Sequence, residues 1–229
     1  MNKSRIKWGW FGLFGLVLLI ISTLIIVGRF SNDFIADVTS RANEAGAPPL
    51  TRDYELAEGW TFISFPMKPG GFNTASQMLD NIIKAGGYVT TIAAWKDEAW
   101  SEYNRRGVDE FGEDFVIEPG VAYFVRNHKP VNWKVNLLAL RMPQKQDFKP
   151  GWNGVGVLGA LDTASAVIDA INQLEHVAIE IDRWLGGTWD PFVKPKTDKP
   201  ADTTTPVFYG TNFPILDTEG YMIRLESNQ

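Results

Sequence analysis

The chain has 229 residues, 45% hydrophobic and 21% charged, which is enough apolar material for one or two cores and excludes large-scale disorder. It contains no cysteine, so disulfides, thiolate metal sites and thiol nucleophiles are excluded together. The net charge of -5 is unevenly spread, because residues 1–29 hold Lys3, Arg5, Lys7 and Arg29 and no acid; the acidic remainder lacks the basic face that nucleic-acid phosphates require, which excludes a nucleic-acid partner.

Trp8 to Val27 is a run of twenty residues without a charge. As a helix rising about 1.5 Å per residue it would cross a hydrocarbon layer of roughly 30 Å. Three basic residues precede it and one follows. The positive-inside rule then places the N-terminus in the cytoplasm and everything beyond Arg29 outside. A cleaved signal peptide is the competing reading, but the apolar run is long for one, and its best small-residue site, Ala45-Gly46-Ala47, is followed by Pro48-Pro49. The expectation is a single-pass anchor, residues 1–29, in a cytoplasmic or plasma membrane, with the lipid bilayer as a partner. Residues 30–53 read as a stalk and linker: Phe30, Phe34, Val38 and Ala42 form an i, i+4 stripe, and Gly46-Ala47-Pro48-Pro49 ends the helix.

The rest of the chain reads as two diverged copies of one module, residues 54–145 and 146–229. Thr74-Ala75-Ser76 recurs as Thr163-Ala164-Ser165, Trp95 as Trp184 and Trp100 as Trp189, all at an offset of 89 residues. Gly59-Trp60 corresponds to Gly151-Trp152 at an offset of 92, and Tyr123-Phe124-Val125-Arg126 to Tyr221-Met222-Ile223-Arg224 at 98. The drift places the largest insertion before Tyr221, where Lys194 to Pro206 has the composition of an exposed loop.

Each copy is predicted to open with a strand, Trp60 to Met67 or Trp152 to Leu158. A helix follows, with Thr74 and Gln77 as a capping box in the first copy and Met78, Leu79, Ile82 and Ile83 as its apolar face. A hairpin then turns at Asp97-Glu98 or Gly186-Gly187, and a last strand contains Gly120 to Arg126 or Gly220 to Leu225. Asn132 to Met142 adds linking strands that complete one sheet. The fold class expected is α+β: a transmembrane helix followed by two pseudo-repeated, strand-rich modules with one helix each.

Gly151-Trp152-Asn153, the span Trp184 to Trp189, and Glu118-Pro119-Gly120-Val121-Ala122-Tyr123-Phe124 resemble a module repeated in secreted and surface proteins of bacteria and archaea, with GWN, a Trp hairpin and PGxxY as its marks. Copy one departs with Thr61 in place of Asn, and copy two lacks Pro-Gly before Gly220-Tyr221. The resemblance covers the chain from about Leu56 onward. It implies a surface location, brings no catalytic residues and implies no cofactor.

Four constellations bear on chemistry. Gly154, Gly156 and Gly159 spell GxGxxG with Asp182 downstream, but a dinucleotide fingerprint needs a buried strand running into its first glycine, and copy one has Phe62-Ile63-Ser64-Phe65 there. Asp109, Glu110, Glu113 and Asp114, with Glu118 nearby, form an acidic cluster that reads as a solvated loop and, in the alternative, as Ca²⁺ ligands. His128 and His176 lie in no spaced ligand set. No nucleophile elbow or phosphate loop occurs, so no enzyme is expected.

The Trp pairs remain. A two-residue turn sets Trp95 opposite Trp100 and Trp184 opposite Trp189. Strand alternation puts them on the face away from Ile92, Tyr103, Ile179, Ile181 and Phe192. Another module or the linking strand should cover them; the alternative is a sugar- or peptide-stacking platform. Trp133, on the linking strand, joins Trp95, Trp100, Trp184 and Trp189 as a candidate contact residue. The function expected is a membrane-anchored structural or interaction subunit that docks a protein partner. The alternatives are a glycan-binding module and a pilin-like filament subunit, the latter weakened by the lack of a glutamate near the start of the apolar segment.

Overall fold

The structure, a computed structural model, describes residues 50–138, 148–156, 161–173, 176–194 and 208–226. Among them are thirteen strands and two short helices in three antiparallel sheets, so the α+β expectation is corrected to a mostly-β fold. The physical reason is the short reach of the helical pattern: apolar residues recur at helical spacing for ten residues in one module and nine in the other. The membrane-anchored, single-pass, extracytoplasmic placement is corrected as well. Among the described residues no helix is long and apolar enough to cross a membrane. Trp8–Val27 and the residues expected to form the stalk, up to Pro49, lie outside the described residues.

The first module contains β1 (Leu50–Leu56), β2 (Gly59–Ser64), β3 (Lys68–Pro69), α1 (Ala75–Lys84), β4 (Val89–Lys96), β5 (Ala99–Arg106), β6 (Asp109–Gly112), β7 (Ala122–Asn127) and β8 (Val131–Leu138). Five of these strands make a sheet in the order β2-β7-β4-β5-β6. The linking strand β8 does not complete it. Instead β8 pairs with β1 and β3 in a sheet of its own, which draws residues 50–53 out of the expected linker and into a strand. Tyr54, Leu56, Trp133, Val135 and Leu137 give that small sheet an apolar face, and it shares one core with α1 and the inner face of the large sheet.

The second module contains β9 (Gly151–Gly156), α2 (Ala164–Asn172), β10 (Val177–Leu185), β11 (Thr188–Val193), β12 (Tyr209–Gly210) and β13 (Gly220–Glu226). Its sheet runs β9-β13-β10-β11-β12, the same order, strand for strand, as the large sheet of the first module. The edge strands β6 and β12 are an addition to the sequence reading. Each ends at a glycine in the left-handed region, Gly112 at φ +97° and Gly210 at +93°, where a Cβ would sit 2.0 and 1.9 Å from the carbonyl oxygens of Glu102 and Pro191.

The shared landmarks have local physical causes. Thr74 and Thr163 cap the two helices, their hydroxyls accepting from the N–H groups of Gln77 and Ala166. The N–H groups of Ser76 and Ser165 are satisfied from the loop before the last strand, by Asp114 Oδ1 at 2.8 Å and Asn212 Oδ1 at 3.0 Å. Tyr123 and Tyr221 pin that same loop: their hydroxyls accept from the N–H groups of Glu118 and Leu216 at 2.7 and 2.8 Å. Both phenols are buried, which pushes their pKa values above the usual tyrosine value.

Candidate functional site

All secondary structure described above lies within one unit, Pro48–Gln229. Within it, the outer face of each large sheet carries its Trp hairpin, and these two faces meet. Trp95 pairs with Trp100 and Trp184 with Trp189 across their hairpins, both pairs edge-to-face with centroids 5.1 Å apart. The joint is reciprocal. Trp95 Nε1–H donates to the carbonyl of Trp152 at 2.7 Å, and Trp184 Nε1–H donates to the carbonyl of Trp60 at 2.9 Å. Backbone bonds repeat the pattern, Ser64 N–H to Thr218 O at 3.0 Å and Gly156 N–H to Gly120 O at 2.8 Å. Arg126 lies over the Trp60 ring and Arg224 over the Trp152 ring.

Close approach along the joint explains Gly154 and Gly156, the two glycines of the GxGxxG string among the described residues. A Cβ at Gly154 would lie 2.9 Å from Cβ of Trp95, and one at Gly156 only 2.3 Å from Ser64 Oγ. These glycines make room for the other module, and β9 lies at the edge of an antiparallel sheet, not in a parallel core before a helix. A nucleotide reading fails on both counts. Asp182, its downstream acid, faces the joint and is buried, with Oδ1 unpartnered among the described residues. Burial foremost, and then the charge of Glu180, push its carboxyl up to about 7; Arg224 opposes them and Asp190 adds to them.

Phe124 is the hub that sequence reading missed. It touches Trp60, Phe62, Trp100, Trp184 and Trp189, with centroids between 4.3 and 5.7 Å. Its signals were its place in the Tyr-Phe-Val-Arg landmark, where the second module has Met222, and at the end of the Glu118-to-Phe124 motif. Trp95, Trp184 and Trp189 are partly buried against this cluster, whereas Trp100 is 40% exposed. Trp133 is corrected as a contact residue. It is fully buried in the first core, its indole N–H donating to Asn81 Oδ1 of α1 at 2.8 Å, and it presents no surface.

The acidic cluster does not converge. Glu110 pairs with Arg105 at 2.5 Å, Glu113 accepts from Ser101 Oγ at 3.0 Å, and Asp114 caps α1. Among the described residues no group of acids and histidines could hold a metal, so the Ca²⁺ alternative at Asp109, Glu110, Glu113 and Asp114 is corrected. His128 bonds Thr90 Oγ1 at 3.0 Å and packs on Tyr88, while His176 packs on Phe148. Comparison of the chain with known families, with curated proteins and with solved structures finds no match. The resemblance to tandem surface modules therefore rests on the GWN, Trp-hairpin and PGxxY residues alone.

Beyond the joint, β5-β6 and β11-β12 leave part of the same two faces exposed, with different chemistry. On β11 and β12 it is apolar: Pro191, Val193 and Tyr209, the last 61% exposed. On β5 and β6 the corresponding surface is polar and aromatic: Trp100, Glu102, Asn104, Arg106 and Phe111.

Proposed function

We propose that this chain is a non-catalytic structural and interaction protein, two modules locked into one body that docks a protein partner. The observation that carries the reading is the reciprocal Trp joint. It spends both conspicuous Trp hairpins on holding the modules together, which makes a stiff body and leaves the apolar flank of the second module facing outward. Pro191, Val193 and Tyr209 lie on one face, where the neighbouring Glu180 is paired with Arg224, and exposed tyrosine is enriched at interface centres.

The test is a photo-reactive amino acid at position 209 of the full chain, activated in cells that make the protein. A discrete protein adduct is expected, lost with Pro191→Glu and absent when the probe sits at the exposed but unrelated Tyr88. No adduct, or the same adducts from position 88, would refute protein docking at this flank.

A further inference from the structure

The two five-stranded sheets, alike in strand order, provide an internal control for which exposed residues the fold requires. Position for position, Trp100, Glu102 and Asn104 on β5 correspond to Trp189, Pro191 and Val193 on β11, since Trp95 pairs with Trp100 as Trp184 does with Trp189. The fold accepts an apolar strand there. The first module instead carries a row of hydrogen-bonding groups beside an indole that is 40% exposed. Trp189 packs on Phe62 and Phe124, both at 5.7 Å, and Trp100 on Trp95 at 5.1 Å and Phe124 at 5.4 Å, yet Trp100 still shows 40% of its surface.

The row is also held in place. Asn104 Oδ1 accepts from Thr91 Oγ1 at 2.8 Å and its Nδ2 donates to Glu102 Oε2 at 3.3 Å, which fixes which way the amide points. Arg106 lies 5.4 Å from the ring centre of Phe111, itself 44% exposed, on the neighbouring strand. Alternation places Trp100, Glu102, Asn104 and Arg106 on one face, and Trp100 to Asn104 spans about 13 Å at roughly 3.3 Å per residue.

We propose that this row is a saccharide-binding strip, with Trp100 as the stacking platform and Glu102, Asn104 and Arg106 as hydroxyl partners. A sugar ring offers an apolar C–H face and a rim of hydroxyls that donate and accept. The strip offers an indole face, a carboxylate that accepts, an amide that does both and a guanidinium that donates. Asn104 and Glu102 already bond to each other, but an apolar protein surface would cover the Arg106 guanidinium without offering it an acceptor, whereas a sugar hydroxyl supplies one. Its length accommodates more than one ring of a linear chain. The proposal is independent of the protein-docking flank on the second module.

The experiment is titration of the purified full chain with cellohexaose, chitohexaose, xylohexaose and mannohexaose, followed by calorimetry and tryptophan fluorescence. At least one hexaose should saturate the protein. Trp100→Ala should weaken that binding by roughly tenfold, the loss of one stacked ring. Glu102→Gln, an exposed change that leaves the Trp joint intact, should weaken it with the thermal midpoint unchanged, and Tyr209→Ala should leave it as it was. The proposal is overturned if no hexaose binds, if Trp100→Ala binds as the parent does, or if Tyr209→Ala loses as much. It is equally overturned if Trp100→Ala abolishes the protein adduct at position 209 and no saccharide binds, which would assign the row to protein docking.

Discussion

Positions 64 and 156 face each other across the joint, and only one of them has room for a side chain. Gly156→Ala should therefore be costly, although its backbone lies outside the left-handed region and accepts any residue. The added Cβ would fall 2.3 Å from Ser64 Oγ and 2.5 Å from Ser64 Cβ, while the next neighbour, Gly120 Cα, is at an ordinary 3.7 Å. Overpacking of this kind costs about 1 to 3 kcal/mol. Ser64→Gly removes both clashing atoms but also the bond from its hydroxyl to Glu219 O at 2.8 Å, and it puts a glycine into β2. Those losses come to about 1 to 2 kcal/mol. In the Ser64→Gly background, Gly156→Ala meets no obstacle and should be neutral or stabilising by up to about 1 kcal/mol. A double-mutant cycle by urea unfolding should then show a coupling of about 1 to 4 kcal/mol. Additivity of the two substitutions within about 0.5 kcal/mol would mean that the two modules do not meet at this point, and the joint as described would be wrong.

Trp184→Ala, which removes a ring packed on Trp189 and Phe124 and the bond to the Trp60 carbonyl, should cost about 2 to 4 kcal/mol by denaturant unfolding. Trp100→Ala, at the exposed end of the cluster, should cost under about 2 kcal/mol in the same assay. Tyr123→Phe leaves the N–H of Glu118 without its acceptor and should cost about 1 to 2 kcal/mol, read as a lower urea midpoint. Asp182 sets a pH dependence. Its folded pKa, about 7, lies above the ordinary 3.8, so the folded state holds the proton more tightly and this group's stabilising contribution is full below about 4 and lost as pH rises through 7. The slope over that window is at most about 1.4 kcal/mol per pH unit. Asp182→Asn should remove it, seen as a difference from the parent in melting temperature between pH 5 and pH 8; parallel profiles would refute a proton held at this carboxyl.

Much of the local architecture was legible because it depends on neighbours in sequence. Strand alternation, the two-residue turns at Asp97-Glu98 and Gly186-Gly187, the helix starts at Thr74 and Thr163, and the face on which the Trp pairs lie all follow from backbone periodicity and turn chemistry. β1 was not legible as a strand partner. Nothing near Leu50–Leu56 announces that Tyr54 and Leu56 pack in the core that Trp133 also enters, 79 residues after Tyr54. The edge strands β6 and β12 are too short for any periodicity to register.

The site divides along the same line. Residue type and spacing already told that paired indoles stand on one face of each hairpin and that a string of glycines lies on β9. What those residues do depends on which surface arrives opposite them. Sequence context already spoke against a phosphate cradle at Gly154 and Gly156, but that they make room for Trp95 and Ser64 shows only once the sheets are packed, as does the difference between Trp100, 40% exposed, and Trp189, partly buried. Contacts between the modules join residues far apart in the chain, such as Trp184 and Trp60, separated by 124 positions. Periodicity fixes the direction in which a side chain leaves its strand; only the packing of one sheet on another decides whether it meets water or a partner.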